Sequence, residues 1–134
     1  MEKSMSHGVV HFEIPADDPD ALASFYGSLF GWQIDKMPGD MEYWMVRTVP
    51  TDEKGMPTQP GGINGGLMRR MAPEQRPVNY VDVESVPDYV AKAKSLGATI
   101  LMDTTPIPGM GWFAQLVDPQ GNFFAMFQDD TSAK

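Results

Sequence analysis

The sequence predicts an α+β fold made of two tandem β-α-β-β-β modules, and three observations carry that prediction. The same order of strand, helix and three further strands reads twice along 134 residues. Each helical segment stops at a glycine, Gly31 in the first half and Gly97 in the second. Thirteen glycines and twelve prolines demand many turns, and so short elements rather than long helices.

The first strand is Val9–Ile14, in which Val10, Phe12 and Ile14 alternate with His11 and Glu13, one face apolar and one polar. A helix start follows, with Asp18 as N-cap, Pro19 at the first helical position and Asp20 at the positive end of the helix dipole. Leu22, Phe25, Tyr26, Leu29 and Phe30 form one apolar stripe at helical spacing, with Phe25 and Phe30 expected in the core. Strands are expected at Gln33–Lys36, Glu42–Val49 and Ile63–Met68, with a loop at Pro50–Gly62. Asn64-Gly65 is also a hairpin-turn signal, but the repeat requires a strand there. Module one is thus about residues 8–68, the linker about 69–76 and module two about 77–128, all within a single domain spanning residues 1–134.

Module two opens on the strand Val78–Val83, with Val78, Tyr80 and Asp82 opposed to Asn79, Val81 and Val83. Ser85 and Asp88 stand at capping-box spacing before a helix whose apolar stripe is Val86, Val90 and Ala93. Strands follow at Thr99–Met102, Trp112–Val117 and Asn122–Gln128. Asp118-Pro119-Gln120-Gly121 makes a tight turn between the last two. The loop Asp103–Gly111 includes Pro106–Gly111, a candidate lid.

Composition narrows function. Ten basic and eighteen acidic side chains give a net charge of −8, a field that repels nucleic acid and anionic membrane surfaces. The absence of cysteine removes disulfides, thiol nucleophiles and thiolate metal sites. No run approaches the length of a membrane span and the first residues lack a signal peptide's apolar region, so the reducing cytoplasm is expected. Neither a nucleophile elbow nor a dinucleotide fingerprint is present.

The opening VVHFEIPADDPDALASFYGSLFGW and the closing LVDPQGNFFAMF, set in paired β-α-β-β-β modules, resemble the vicinal oxygen chelate superfamily. That superfamily includes glyoxalase I, extradiol dioxygenases, fosfomycin-resistance enzymes and bleomycin-binding proteins, and this chain is similar to its small glyoxalase-related branch. The resemblance runs from about Gly8 to Gln128 and implies modules that curl into a cup-shaped mixed sheet with the active site on its floor. It also implies pairing into a homodimer, which would cover the unpaired module edges. The family's metal ligands, carried over by position, fall on His11, near Gly66, on Val78 and on Ala125. Only His11 matches, so no metal is expected at the family site and no cofactor is implied.

His11 and Glu13 remain as candidate catalytic residues. Residues i and i+2 of a strand share a face, with Cα atoms about 6.5–7 Å apart, so their side chains can converge on one proton. A displaced divalent metal with Asp82 or Gln115 as third ligand is an alternative use of the pair. A structural alternative is that Glu13 fixes the tautomer of His11. His7 belongs to the N-terminal tail and is expected in solvent. The glycine-rich run Gly61–Gly66 lacks a phosphate loop's ending and serves better to leave room for a ligand, with Asn64 and Gly66 as ligand-binding candidates. Eleven methionines accompany Trp44, Tyr80, Trp112, Phe123 and Phe127, a combination that suits a flat or apolar small molecule. Tyr80, Asp82, Trp112, Gln115, Phe123 and Phe127 complete the ligand-binding set, whereas Phe124 and Met126 are assigned to the core. The leading reading is a small-molecule-binding glyoxalase-like protein lacking most family metal ligands. The alternatives are a lyase- or isomerase-type enzyme using His11 and Glu13, and a regulatory or subunit module with a filled cup.

Overall fold

The computed structural model describes residues 7–39, 42–53 and 57–134. Residues 54–56 of the expected loop, and residues 1–6 of the tail, lie outside the described residues. The chain divides into two compact units, one of residues 11–77 and one of residues 78–134 together with the chain up to residue 10. Among the described residues the elements run β1 (Val9–Ala16), α1 (Pro19–Phe30), β2 (Gln33–Lys36), β3 (Tyr43–Arg47) and β4 (Gly65–Arg69) in the first half. The second half has β5 (Val78–Asp82), α2 (Val86–Ser95), β6 (Thr99–Ile107), β7 (Gly111–Val117) and β8 (Phe123–Asp129). The fold is α+β, and the β-α-β-β-β order repeats as expected.

In the N-terminal unit the strand order is β2-β3-β4-β1. β1 and β4 pair in parallel, and β3 pairs antiparallel with both β4 and β2. The C-terminal unit repeats this arrangement: β5 and β8 are parallel, and β7 is antiparallel to β8 and β6. Each parallel pair is joined through a helix, as a crossover requires.

Strand alternation sends one face of each sheet to its helix. In the N-terminal unit Ala16, Trp44, Val46 and Leu67 form the buried cluster, with Phe12, Leu22, Trp32 and Ile34 packed against it. In the C-terminal unit the cluster is Val83, Val86, Val90, Ala114, Leu116 and Met126, flanked by Phe124, Val81, Ile100 and Ala93. The core assignments of Phe124 and Met126 therefore hold.

Local signals set the helix ends. The Asp18 side chain accepts from the Ala21 amide at 3.1 Å, and Gly31 at φ 74° donates its amide to the Gly27 carbonyl at 2.9 Å. Ser85 caps α2 by accepting from the Asp88 amide at 3.3 Å. Gly97 follows α2 at φ 107°, a conformation that glycine adopts without a Cβ penalty.

Two expectations need correction. Phe25, Leu29 and Phe30 are 54%, 57% and 58% exposed, so the stripe of α1 is not core beyond Leu22. Its aromatic rings pack on one another and on Trp32, which follows the helix: ring centroids lie 5.1 Å apart for Phe25 and Tyr26, 5.1 Å for Tyr26 and Trp32, and 5.2 Å for Phe30 and Trp32. The second concerns the segment after Met102, where β6 continues to Ile107 and pairs Pro106 with Trp112 and Ile107 with Gly111. Two register shifts absorb the irregular Asp103–Thr105 stretch, and Pro106 is tolerated because β6 is an edge strand. The expected lid is therefore a tight hairpin. No described helix is long and apolar enough to cross a membrane.

Candidate functional site

β1 places His11 and Glu13 on the face of the N-terminal sheet turned away from its buried cluster, as i, i+2 alternation requires. Glu13 pairs with Gly66 on β4, and Gly66 pairs in turn with Met45 on β3. Tyr43, two residues before Met45, lies on this same face and reaches back across Gly66. Its hydroxyl donates to Glu13 Oε2 at 3.1 Å and lies 2.9 Å from His11 Nε2.

Gly66 makes this arrangement sterically feasible. A Cβ at residue 66 would overlap the Tyr43 hydroxyl and Cζ. The phenol thus fills the place where a side chain at the family's ligand position would stand. Burial pulls the His11 imidazole down from the ordinary 6.5 to about 4, so the ring is neutral at neutral pH. The result is an imidazole, a phenol and a carboxyl joined in series by hydrogen bonds. Sequence reasoning found the two ends of this chain and missed Tyr43. The alternation of Tyr43, Met45 and Arg47 against Trp44 and Val46 carried the signal, but only the cross-strand register brings Tyr43 over Gly66.

Asn64 has a different task from the one expected. It is buried, and its Oδ1 accepts from the amides of Thr48 at 2.8 Å and Val49 at 3.3 Å, which anchors the chain as it leaves β3. Its Nδ2 has no hydrogen-bond partner.

In the C-terminal unit, register sets Tyr80 beside Ala125 and Asp82 beside Phe127. It also sets Gln115 beside Ala125, Phe113 beside Phe127 and Val117 beside Phe123. Tyr80, Asp82, Gln115, Phe123 and Phe127 therefore share the face opposite the buried cluster. Gln115 Nε2 donates to the Tyr80 hydroxyl at 3.3 Å, across the small Ala125. Phe113 joins the same face with its ring 6.4 Å from that of Tyr80, an aromatic that the alternation of WFAQLV marked and sequence reading passed over.

Trp112 does not belong to this set. It packs against the buried cluster on the helix side, and its indole donates to Asp130 Oδ2 at 3.0 Å. Hydrogen bonds from Ser132 and then Trp112 hold the Asp130 carboxyl below its usual range. His7 is exposed but engaged: Nδ1 lies 3.0 Å from the Asp82 carbonyl and Nε2 lies 3.0 Å from the Tyr89 hydroxyl. It clips the start of β1 to β5 and α2.

A groove of about 550 Å³ lies in the N-terminal unit, lined by Ile14, Ala16, Leu22, Phe25, Tyr26 and Arg70 among others. Asp17 and Asp18 border it, but Asp17 pairs with Arg70 at 2.9 Å and Asp18 caps α1. His11, Glu13 and Tyr43 are not among its walls, so the groove is separate from the groups able to relay a proton.

The metal that the superfamily implies does not fit the residues at its four positions. Gly66, Val78 and Ala125 offer no donor, and the retained His11 already shares its Nε2 with Tyr43. Zinc or iron centres take about three protein donors. Among the described residues no group of three or more His, Cys, Asp or Glu side chains is placed to hold an ion.

Paired β-α-β-β-β units are the architecture of the vicinal oxygen chelate superfamily. Within it, the chain belongs to the glyoxalase-like domain family, whose match spans residues 10–127. Similar solved structures include a variant of Streptomyces coelicolor methylmalonyl-CoA epimerase in complex with 2-nitronate-propionyl-CoA. It is 17% identical with a TM-score of 0.65, over 94% of this chain and 99% of that one. The methylmalonyl-CoA epimerase of Mycobacterium tuberculosis is 12% identical with a TM-score of 0.66, over 97% of this chain and 93% of its own. A Legionella pneumophila protein described as an NAD-dependent benzaldehyde dehydrogenase is 17% identical with a TM-score of 0.57, over 90% of this chain and 98% of its own. At these identities the likeness is one of fold. A search of curated proteins finds no match.

Proposed function

We propose that the chain binds a small carbonyl compound on the His11 face of its N-terminal module and moves a proton on it, an isomerase- or lyase-type reaction. The observation that carries this reading is the Tyr43 hydroxyl, within hydrogen-bond distance of both His11 Nε2 and Glu13 Oε2. A neutral imidazole and a carboxyl at the two ends of one hydrogen-bonded chain can take up a proton and return it. A carbon next to a carbonyl is the matching substrate, because the electron pair left by proton removal is delocalised onto the carbonyl oxygen as an enolate. Fold neighbours named as methylmalonyl-CoA epimerases add support, since epimerisation at such a carbon is proton removal and return.

The test is solvent exchange. Protein in D₂O is incubated with methylmalonyl-CoA, and separately with the hemithioacetal of methylglyoxal and glutathione, and loss of the α-proton is followed by NMR. Catalysed exchange on either probe should fall by roughly 10²–10⁴-fold in His11→Gln and Glu13→Gln. Exchange that persists unchanged in both variants overturns the reading.

A second reading is binding without turnover, supported by the aromatic face of Tyr80, Phe113 and Phe127 around Ala125. Calorimetric binding of either probe that survives His11→Gln, with no exchange in the wild type, would favour it.

A further inference from the structure

We infer that Glu13 sets the ring tautomer of His11 through the Tyr43 hydroxyl, so that Nε2 carries the ring hydrogen and Nδ1 is the nitrogen that takes the substrate's proton. The argument is a count of hydrogens. A phenol has one, and Tyr43 gives it to Glu13 Oε2 at 3.1 Å. The same oxygen lies 2.9 Å from His11 Nε2, and with its own hydrogen committed it can only accept there. Nε2 must therefore be the donor, which leaves the lone pair of the neutral ring on Nδ1. The direction is fixed at the carboxyl end, where the phenol is the donor and Glu13 Oε2 the acceptor. Gly66 keeps the phenol in place, since any side chain there would occupy the position of its hydroxyl.

This division of labour rests on the proton-transfer reading for its second half. His11 becomes the catalytic residue, whereas Glu13 and Tyr43 are positioning residues. In the step, the substrate C–H bond breaks, an Nδ1–H bond forms and the electron pair stays on the substrate as an enolate. The imidazolium so formed donates through Tyr43 toward Glu13, and return of the Nδ1 proton to the adjacent atom completes the isomerisation. No oxidant, reductant or co-reactant is consumed.

The tautomer can be read without any substrate. The chain has two histidines, so ring-nitrogen NMR at neutral pH shows two imidazoles, and His7→Gln assigns the one that remains. The wild type should show Nε2–H on His11, favoured roughly tenfold or more over Nδ1–H. In Glu13→Ala the Tyr43 hydrogen is released to turn toward Nε2, and the population should move to parity or to Nδ1–H. Tyr43→Phe should relax it as well, and decides alone if Glu13→Ala does not fold. A wild-type ring protonated on Nδ1 overturns the inference, as does a tautomer unchanged by these variants. Neither result touches the exchange assay, so failure of the tautomer argument and failure of the proton-transfer reading remain distinguishable.

Discussion

The two modules use the same backbone plan and treat the family's ligand positions in parallel but chemically different ways. In each, a tyrosine stands over or beside a small residue of the last strand: the Tyr43 hydroxyl over Gly66, and Tyr80 in register with Ala125. Tyr43 bonds two ionisable groups, His11 and Glu13, whereas Tyr80 bonds the neutral amide of Gln115. Val78 stands on the first strand of module two where module one has His11. The helices differ as well, because α2 buries Val86 and Val90 whereas α1 leaves three large apolar side chains in solvent. The face of module one thus carries a histidine, a tyrosine and a glutamate in one hydrogen-bonded chain, whereas that of module two carries Tyr80, Phe113 and Phe127 around Ala125, with Gln115 and Asp82 beside them.

The sharpest test of the parallel lies under the sheets. Leu67 and Leu116 are both fully buried, one in each core. Truncation to alanine should cost about 2–5 kcal/mol at either site, read by urea unfolding. A loss at Leu67 well below that at Leu116 would mean that the exposed α1 accompanies a looser core, and the parallel would fail at its foundation.

Acid should separate the modules next. His11 has an ordinary value of 6.5 and a folded value near 4, lowered by burial. Between those pH values the unfolded chain binds a proton that the folded chain refuses, so stability falls as pH drops from 6.5 to 4. The loss is on the order of 3 kcal/mol and is complete near pH 4, with no change from this group above 6.5. His11→Gln should remove that part of the slope, and comparison of the two proteins cancels the carboxylates common to both. Equal slopes for wild type and variant between pH 7 and 4 would show that His11 is not buried in its neutral form.

Gly66→Ala should cost about 1–3 kcal/mol through overpacking against the Tyr43 ring. It should also displace the phenol, so the His11 ring signals should shift as they do in Tyr43→Phe. Full stability with unchanged ring signals would show that the glycine is not what admits the tyrosine.

Much of this was legible in the sequence. Asp18-Pro19 and Ser85 announced the helix starts, and Gly31 and Gly97 the stops, because capping is a local property of a few residues. The faces of β1, β5 and β8 followed from simple alternation, which put His11 with Glu13 and Tyr80 with Asp82. What stayed hidden depends on register. Tyr43 reaches Glu13 only because β3 pairs with β4 and β4 with β1, pairings between residues about 20 to 50 positions apart in the chain. Trp112 misled because tryptophan suits a pocket wall and a core flank equally well, and only alternation with Phe113 separates the two. The stripe of α1 misled in a similar way: apolar spacing marks one helix face without saying that anything covers it.

That uncovered face gives the smallest expected effect. Leu29 is 57% exposed, so Leu29→Ala removes little area from the buried surface and should change stability by within about 0.5 kcal/mol. Alanine also has the higher helix propensity, which offsets part of any lost contact. Val86→Ala on α2 provides the contrast, because that side chain is fully buried and its loss leaves a cavity. Urea unfolding of both variants at one protein concentration, repeated at tenfold dilution, makes the comparison direct. A cost at Leu29 approaching that at Val86 would mean that this face is covered in solution, and a dependence on dilution would identify a second copy of the chain as what covers it.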